Sequence, residues 1–231
     1  MNPFDFFEKV YCINLKERDD RWESCLKKFK KYDIVDVERV EGVRRKVCND
    51  EKNNGRYGCT ASWEKVLKKI VQDNVSTALV FEDDFEFRFN KRDLFKRLNR
   101  SISQLPDDWD MLYLGGELVE SYKTSPITSY TAGLYRLLSC YQTHSIAVTN
   151  NGAKMLLSYF VDSWTDSIIK QYEIVDVFLA RKAQRESQSF ITTDFLCIQE
   201  PGKSNIENKH MDLQQYAIDL FELWKSKTKY N

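Results

Sequence analysis

Thr77-Ala78-Leu79-Val80-Phe81-Glu82-Asp83-Asp84 is the stretch on which the fold turns. Its first five residues are the most strand-like run in the chain, and they stop abruptly at three adjacent carboxylates. A short, continuous apolar run is the signature of a strand covered on both faces, as in a parallel sheet. In such sheets ligands bind at the carboxyl ends of the strands, which is where the acidic triplet falls. Three neighbouring carboxylates repel one another and cost stability if left unpaired. A hard cation relieves that cost, and oxygen ligands suit magnesium, manganese or calcium. On extended backbone Glu82 and Asp84 project to one side and Asp83 to the other. Two carboxylates on one side can grip a metal that in turn holds a diphosphate. The plain alternative is a solvated acidic turn.

Working outward, helices and strands alternate. Upstream, residues 10–15 form a β-rich run, and Asp19 or Asp20 opens a helix with Trp22, Leu26 and Phe29 on one face. Residues 34–40 alternate as a second strand. A polar loop holding Gly42 and Gly55 follows, and then residues 62–71 carry Trp63, Val66, Leu67 and Ile70 at helical spacing. Downstream, a helix over 93–103 precedes a strand over 110–114 that Gly115-Gly116 stops. A Ser- and Thr-rich loop runs to about residue 132. Strands are expected over 134–140 and 145–149, and helices over 153–160 and 173–185. Residues 189–198 read as extended, and 212–227 as an amphipathic closing helix. Alternation of this kind predicts an α/β protein with a mostly parallel central sheet.

The 231 residues suffice for a sizeable core, and 35 basic residues balance 35 acidic ones. Balanced charge argues against nucleic acid recognised through a global basic field. Hydrophobic residues at 42% argue against disorder, and 8 Gly with 4 Pro argue against a collagen-like chain. Acidic residues interrupt the first Phe cluster, so no signal peptide is read there, and no apolar run is long enough to span a bilayer. A cytoplasmic location is therefore expected. The six cysteines are scattered without a CxxC pair, which predicts reduced thiols and no zinc site. Gly202-Lys203-Ser204 lacks the earlier glycine of a phosphate-binding loop, and no GxGxxG run exists. His144 and His210 have no clear triad partner. Arg18 and Arg21 flank the end of the first strand and the start of the first helix, where guanidinium groups and backbone amides favour phosphate.

Taken in order, these pieces resemble glycosyltransferase family 25. Residues 10–21, Val-Tyr-Cys-Ile-Asn-Leu-Lys-Glu-Arg-Asp-Asp-Arg, look like the family's opening "INL…R…R". Gly55-Arg56-Tyr57-Gly58-Cys59-Thr60-Ala61-Ser62 is similar to its "GxxGCxxS", and Leu79 to Asp84 matches its "EDD" element. Trp109 to Gly115 looks like its "WDxxYLG" strand, and Thr143-His144 with the later Gly152-Ala153 resembles its "THAYxIS…GAxxLL". Gln199 with Ser204-Asn205-Ile206 resembles its closing "Q…SDI". The likeness covers roughly residues 9–206, and the collinear order is more specific than any one motif. Three positions depart from it. Trp63 follows Ser62 where the family has "SH", Asn205 replaces an Asp, and residues 145–149 replace "AYxIS".

The resemblance implies a GT-A fold, a Rossmann-like α/β domain with a mostly parallel central sheet and helices on both faces. Residues 1–231 would form one such domain, with a nucleotide-sugar part over about 8–116 and an acceptor-side part over about 117–231. It further implies a metal-dependent, inverting transfer of a hexose, galactose or glucose, from a UDP-sugar to a hydroxyl of a glycan or protein. Asp84 and Glu82 would hold manganese or magnesium. Asn14, Leu15, Arg18, Arg21, Glu82 and Asp83 would bind the nucleotide-sugar. Asp176, with Glu117 second, would be the general base. A catalytically silent relative that binds a glycan or protein is the alternative that the Trp63 and Asn205 departures suggest.

Overall fold

A computed structural model of the chain describes residues 1–44, 51–120, 124–165, 175–200 and 213–228. Cys48, Gly202-Lys203-Ser204, Asn205, Ile206 and His210 lie outside them. After a 3₁₀ turn (Pro3–Phe6), β1 (Lys9–Asn14) leads through α1 (Asp19–Lys31) to β2 (Val37–Glu41), and α2 (Glu51–Gln72) leads to β3 (Thr77–Glu82) and β4 (Phe85–Phe87). Next come α3 (Lys91–Ile102), β5 (Met111–Tyr113), β6 (Glu117–Leu118), β7 (Ile127–Ser129), β8 (Leu134–Leu137), β9 (Cys140–Tyr141) and β10 (Ser145–Thr149). α4 (Asn150–Thr165) follows, and α5 (Val175–Phe178) continues into a π-helical stretch (Leu179–Ala183) and α6 (Gln184–Glu186). β11 (Ser189–Thr192), β12 (Cys197–Gln199) and α7 (Leu213–Thr228) complete the described elements.

Eight strands form one sheet in the order β2-β1-β3-β10-β5-β11-β8-β7. β1 runs parallel to both β2 and β3, and β5 parallel to β11. Traced pair by pair, β10 and β8 alone oppose the other strands, so the sheet is mostly parallel as expected. β10 lies between β3 and β5, so strands from both halves of the chain share this sheet. β4 pairs with β12 and β6 with β9 in separate two-stranded ribbons.

The strand period of two sorts the core onto two faces. Tyr11, Ile13, Ala78 and Val80 face one layer with Val66, Leu67 and Ile70 of α2, Leu156 of α4 and Phe221 of α7. Val10, Cys12, Leu79 and Phe81 face the other with Phe29 of α1 and Leu94 and Leu98 of α3. That second face is phenylalanine-rich, and the rings of Phe81, Phe85 and Phe29 pack together with centroids 4.4–5.6 Å apart.

Several local expectations are corrected. Residues 51–61 belong to α2, so Gly55 is not in a loop. The glycine that matters is Gly58, where a Cβ would meet the Val43 carbonyl oxygen at 2.4 Å. The strand expected from residue 34 starts at Val37, because Asp36 takes a left-handed φ of 53°. β4, β6 and β7 arise where no strand was expected, the 134–140 run divides into β8 and β9, and 189–198 divides into β11 and β12. α4 starts at Asn150, ahead of the expected residue 153. Cys12, Cys25, Cys59, Cys140 and Cys197 are free thiols. Among the described residues no helix is long and apolar enough to cross a membrane.

Candidate active site

β3 delivers the acidic triplet where its apolar run ends, and the three carboxylates part company at once. Glu82 closes the strand, and its backbone N–H donates to the His144 carbonyl at 3.0 Å. Its side chain turns toward α2. There Oε1 accepts from the Trp63 indole Nε1 at 2.8 Å and from the Thr143 hydroxyl. Burial, and then the charge of Asp84, pushes Glu82 up to about 7.

Asp83 turns toward β1 and α1. Arg21 donates to its Oδ1 at 2.6 Å, and Asn14 Nδ2 donates to its Oδ2 at 2.6 Å. Burial raises the Asp83 pKa, and the Arg21 guanidinium opposes that rise. Asp84 stands between these two environments. Its Oδ2 accepts from Gln199 Nε2 at 2.9 Å, with Arg21 Nη1 3.9 Å away. Its Oδ1 is buried and has no hydrogen-bond partner among the described residues.

Arg18 is directed elsewhere. Its guanidinium grips Asp20 through two bonds of 2.9 and 2.8 Å, while its carbonyl accepts from Asn14 Nδ2 at 3.1 Å. Leu15 is half-buried, and its carbonyl accepts the Arg18 N–H at 2.9 Å. Arg21 is thus the arginine of the pair that reaches the triplet.

Asp176 sits in the first turn of α5. Its Oδ1 accepts from the Val177 N–H at 2.8 Å, and the Gln142 amide also bonds to it. Burial raises its pKa against those amides. Gln142 holds its amide there from a left-handed φ of 68°. Glu117 opens β6 and is raised by burial first and by the Asp176 charge second. Cys59 of α2 links the two groups. Its thiol is raised by burial, then by Glu82, Asp176 and Asp84, and it bonds to Thr143. Glu82, Asp84 and Asp176 therefore act on one thiol, and Asp176 in turn on Glu117.

Among the described residues no three His, Cys, Asp or Glu side chains gather into a metal cage. A cation shared with a diphosphate needs fewer protein ligands, since such ions keep phosphate and water oxygens in their shell. The bare Oδ1 of Asp84 fits that role, and a bound cation would relieve the burial and the Asp84 charge that push Glu82 up to about 7. Asp83 does not fit it, because protein donors occupy both of its oxygens. Trp63, Thr143, Gln199 and Cys59 are site residues to which sequence reasoning assigned no role. All but Cys59 reach the triplet through contacts between side chains far apart in the chain.

The model of glycosyltransferase family 25 (LPS biosynthesis protein) matches residues 7–179. Human procollagen galactosyltransferase 2 is 24% identical over 171 residues, which cover 65% of this chain and 27% of that protein. The human inactive glycosyltransferase 25 family member 3 is 27% identical over 172 residues, covering 66% and 29%. The chain thus spans little more than a quarter of the length of these curated relatives. Among solved structures, a glycosyltransferase involved in the glycosylation of the major capsid of PBCV-1 aligns over 94% of this chain and 98% of its own, with a TM-score of 0.47 and 8% identity. The family match begins ahead of β1, takes in the triplet and Asp176, and ends in the π-helical stretch. The chain belongs to glycosyltransferase family 25.

Proposed function

We propose that this chain is a metal-dependent, inverting glycosyltransferase of GT-A architecture. It moves a hexose, galactose or glucose, from a UDP-sugar to a hydroxyl of a glycan or protein, and residues 1–231 act as one catalytic domain. The observation that carries the reading is the unpaired, buried Oδ1 of Asp84, just past Glu82 at the carboxyl end of a central strand that runs parallel to β1. This is the location where α/β sheets present ligand groups. Asp84 and Glu82 hold manganese or magnesium. The bound ion would neutralise the charge that builds on the departing nucleoside diphosphate. Asn14 and Arg21 brace Asp83 and with it the turn that carries Asp84. Leu15 and Arg18 lie at the end of β1 and shape the nucleotide side.

Inversion in a single displacement requires a base that takes the acceptor hydroxyl proton. Asp176 fills this role, because burial raises its basicity and the Gln142 and Val177 amides fix its direction. Glu117 stands behind it. Replacing Asp84 with Ala tests the reading. We expect metal-dependent transfer, or donor hydrolysis, to fall by about 10²–10³-fold. Unchanged activity with intact metal dependence would remove the acidic triplet from the mechanism.

One contact favours a second reading, a silent relative that binds a glycan or protein. The Trp63 indole donates to Glu82 and so ties up one of its oxygens inside the fold. Calorimetric titration of the folded chain with UDP and manganese separates the two. Binding supports the transferase, and absence of heat supports the silent form.

A further inference from the structure

Asp84 lies in the two-residue turn between β3 and β4, a position that by itself leaves its side chain free to rotate. The restraint comes from β12, far along the chain and beyond the residues that the family match covers. β12 pairs antiparallel with β4 and sets Gln199 opposite Phe85. The Glu200 N–H donates to the Asp84 carbonyl at 2.5 Å, while Gln199 Nε2 donates to Asp84 Oδ2 at 2.9 Å. This segment is itself held from two sides. From α1, the largely buried Lys28 donates through Nζ to Glu200 Oε1 at 2.5 Å and to the Phe85 carbonyl at 2.6 Å, with Glu86 Oε2 at 3.4 Å. From α7, Gln214 Nε2 donates to the Gln199 carbonyl at 2.7 Å.

We infer that Gln199 is a positioning residue for Asp84, and that the Lys28–Glu200 pair latches it in place; this rests on the proposed role of Asp84. The chemistry of the donor is the reason. A lysine or arginine at 199 would form an ion pair with Asp84 and compete with a bound cation. An amide fixes the rotamer through one neutral hydrogen bond, and the nearest guanidinium, Arg21, sits closer to Asp83 at 2.6 Å than to Asp84 at 3.9 Å. The lysine that the fold does supply, Lys28, is spent on Glu200 and on backbone, one residue removed from the carboxylate.

The test is calorimetric titration of the full chain with manganese in the presence of UDP, alongside melting curves taken without either. Gln199→Ala should weaken manganese-dependent UDP binding about tenfold, the usual cost of removing a partner that orients a ligand carboxylate. In an Asp84→Asn background the same change should cost nothing further. Glu200→Ala should reproduce the loss, and Glu200→Gln, which keeps an acceptor for Lys28, should lose less. This pair carries the test if Gln199→Ala fails to fold. Wild-type binding in Gln199→Ala together with lost binding in Asp84→Asn overturns the inference and leaves the reading of Asp84 standing. Wild-type binding in Asp84→Asn overturns both. An equal loss from Gln199→Ala in either background would show that Gln199 acts through the fold, and would also overturn the inference.

Discussion

Asp83 and Asp176 are both carboxyl groups whose pKa burial raises, yet their partners differ in kind. Asp83 is bound by side chains from two elements, the guanidinium of Arg21 on α1 and the amide of Asn14 on β1. Asp176 takes hydrogen bonds from backbone amides, and the Arg56 charge acts on it less than burial does. A carboxylate matched by a cation holds structure together, whereas one left basic by burial is suited to accept a proton. The first region should answer mutation in stability and the second in rate.

The largest expected effect falls on the second region. Asp176→Asn should lower kcat by about 10²–10⁴-fold, the range of a lost general base, with little change in the urea midpoint. In the unmutated chain the acid limb of the pH–rate profile should lie above the usual carboxylate range, because the base must lose its proton to act. A large fall in stability with modest loss of rate would erase the contrast between the two regions. Next in size is Arg21→Met, which leaves the buried Asp83 with the Asn14 amide but without its cation; we expect a loss of about 2–3 kcal/mol by urea denaturation.

His144 sharpens the comparison through pH. Burial holds its pKa down at about 4, against about 6.5 in the unfolded chain. As pH falls from about 6.5 toward 4, the unfolded state takes up a proton that the folded state refuses, so stability drops. Glu82 has the opposite sign. Its pKa of about 7 lies above the unfolded value, so the folded state keeps the extra proton over most of this window and gains stability as pH falls. The two slopes oppose each other. His144→Gln should remove the first, so its stability relative to wild type should rise toward acid pH by about 1.4 kcal/mol per unit. Denaturant midpoints measured between pH 4.5 and 6.5 check this, and a constant difference would contradict it. The smallest effect is expected of Trp63→Phe, which removes one of two donors to Glu82 and should cost about 1 kcal/mol by the same assay.

Legibility in the sequence followed locality. β3 and β10 could be read because an uninterrupted apolar run signals a strand covered on both faces. The triplet was readable for the same reason, as the abrupt end of such a run. Gly55 read as a loop signal because glycine weakens helices. Only the fold shows that the close approach of the Val43 carbonyl makes glycine necessary at 58. The division of labour within the triplet could not be read at all. It depends on Asn14, Arg21, Trp63, Thr143 and Gln199, whose contacts span 19 to 115 positions along the chain. Arg18 and Arg21 looked equivalent by spacing, and the choice between them came from Asp20, which satisfies Arg18 locally.

The place of β10 between β3 and β5 also sets a timetable for synthesis. As the chain leaves the ribosome, β1 and β3 can pair early, but the far edge of β3 has no neighbour until Ser145–Thr149 has emerged. During that interval a largely apolar strand presents an open row of amides and carbonyls, the form most prone to pair with another nascent chain. The same insertion that seals the sheet at its centre makes late-made residues the gatekeepers of its solubility.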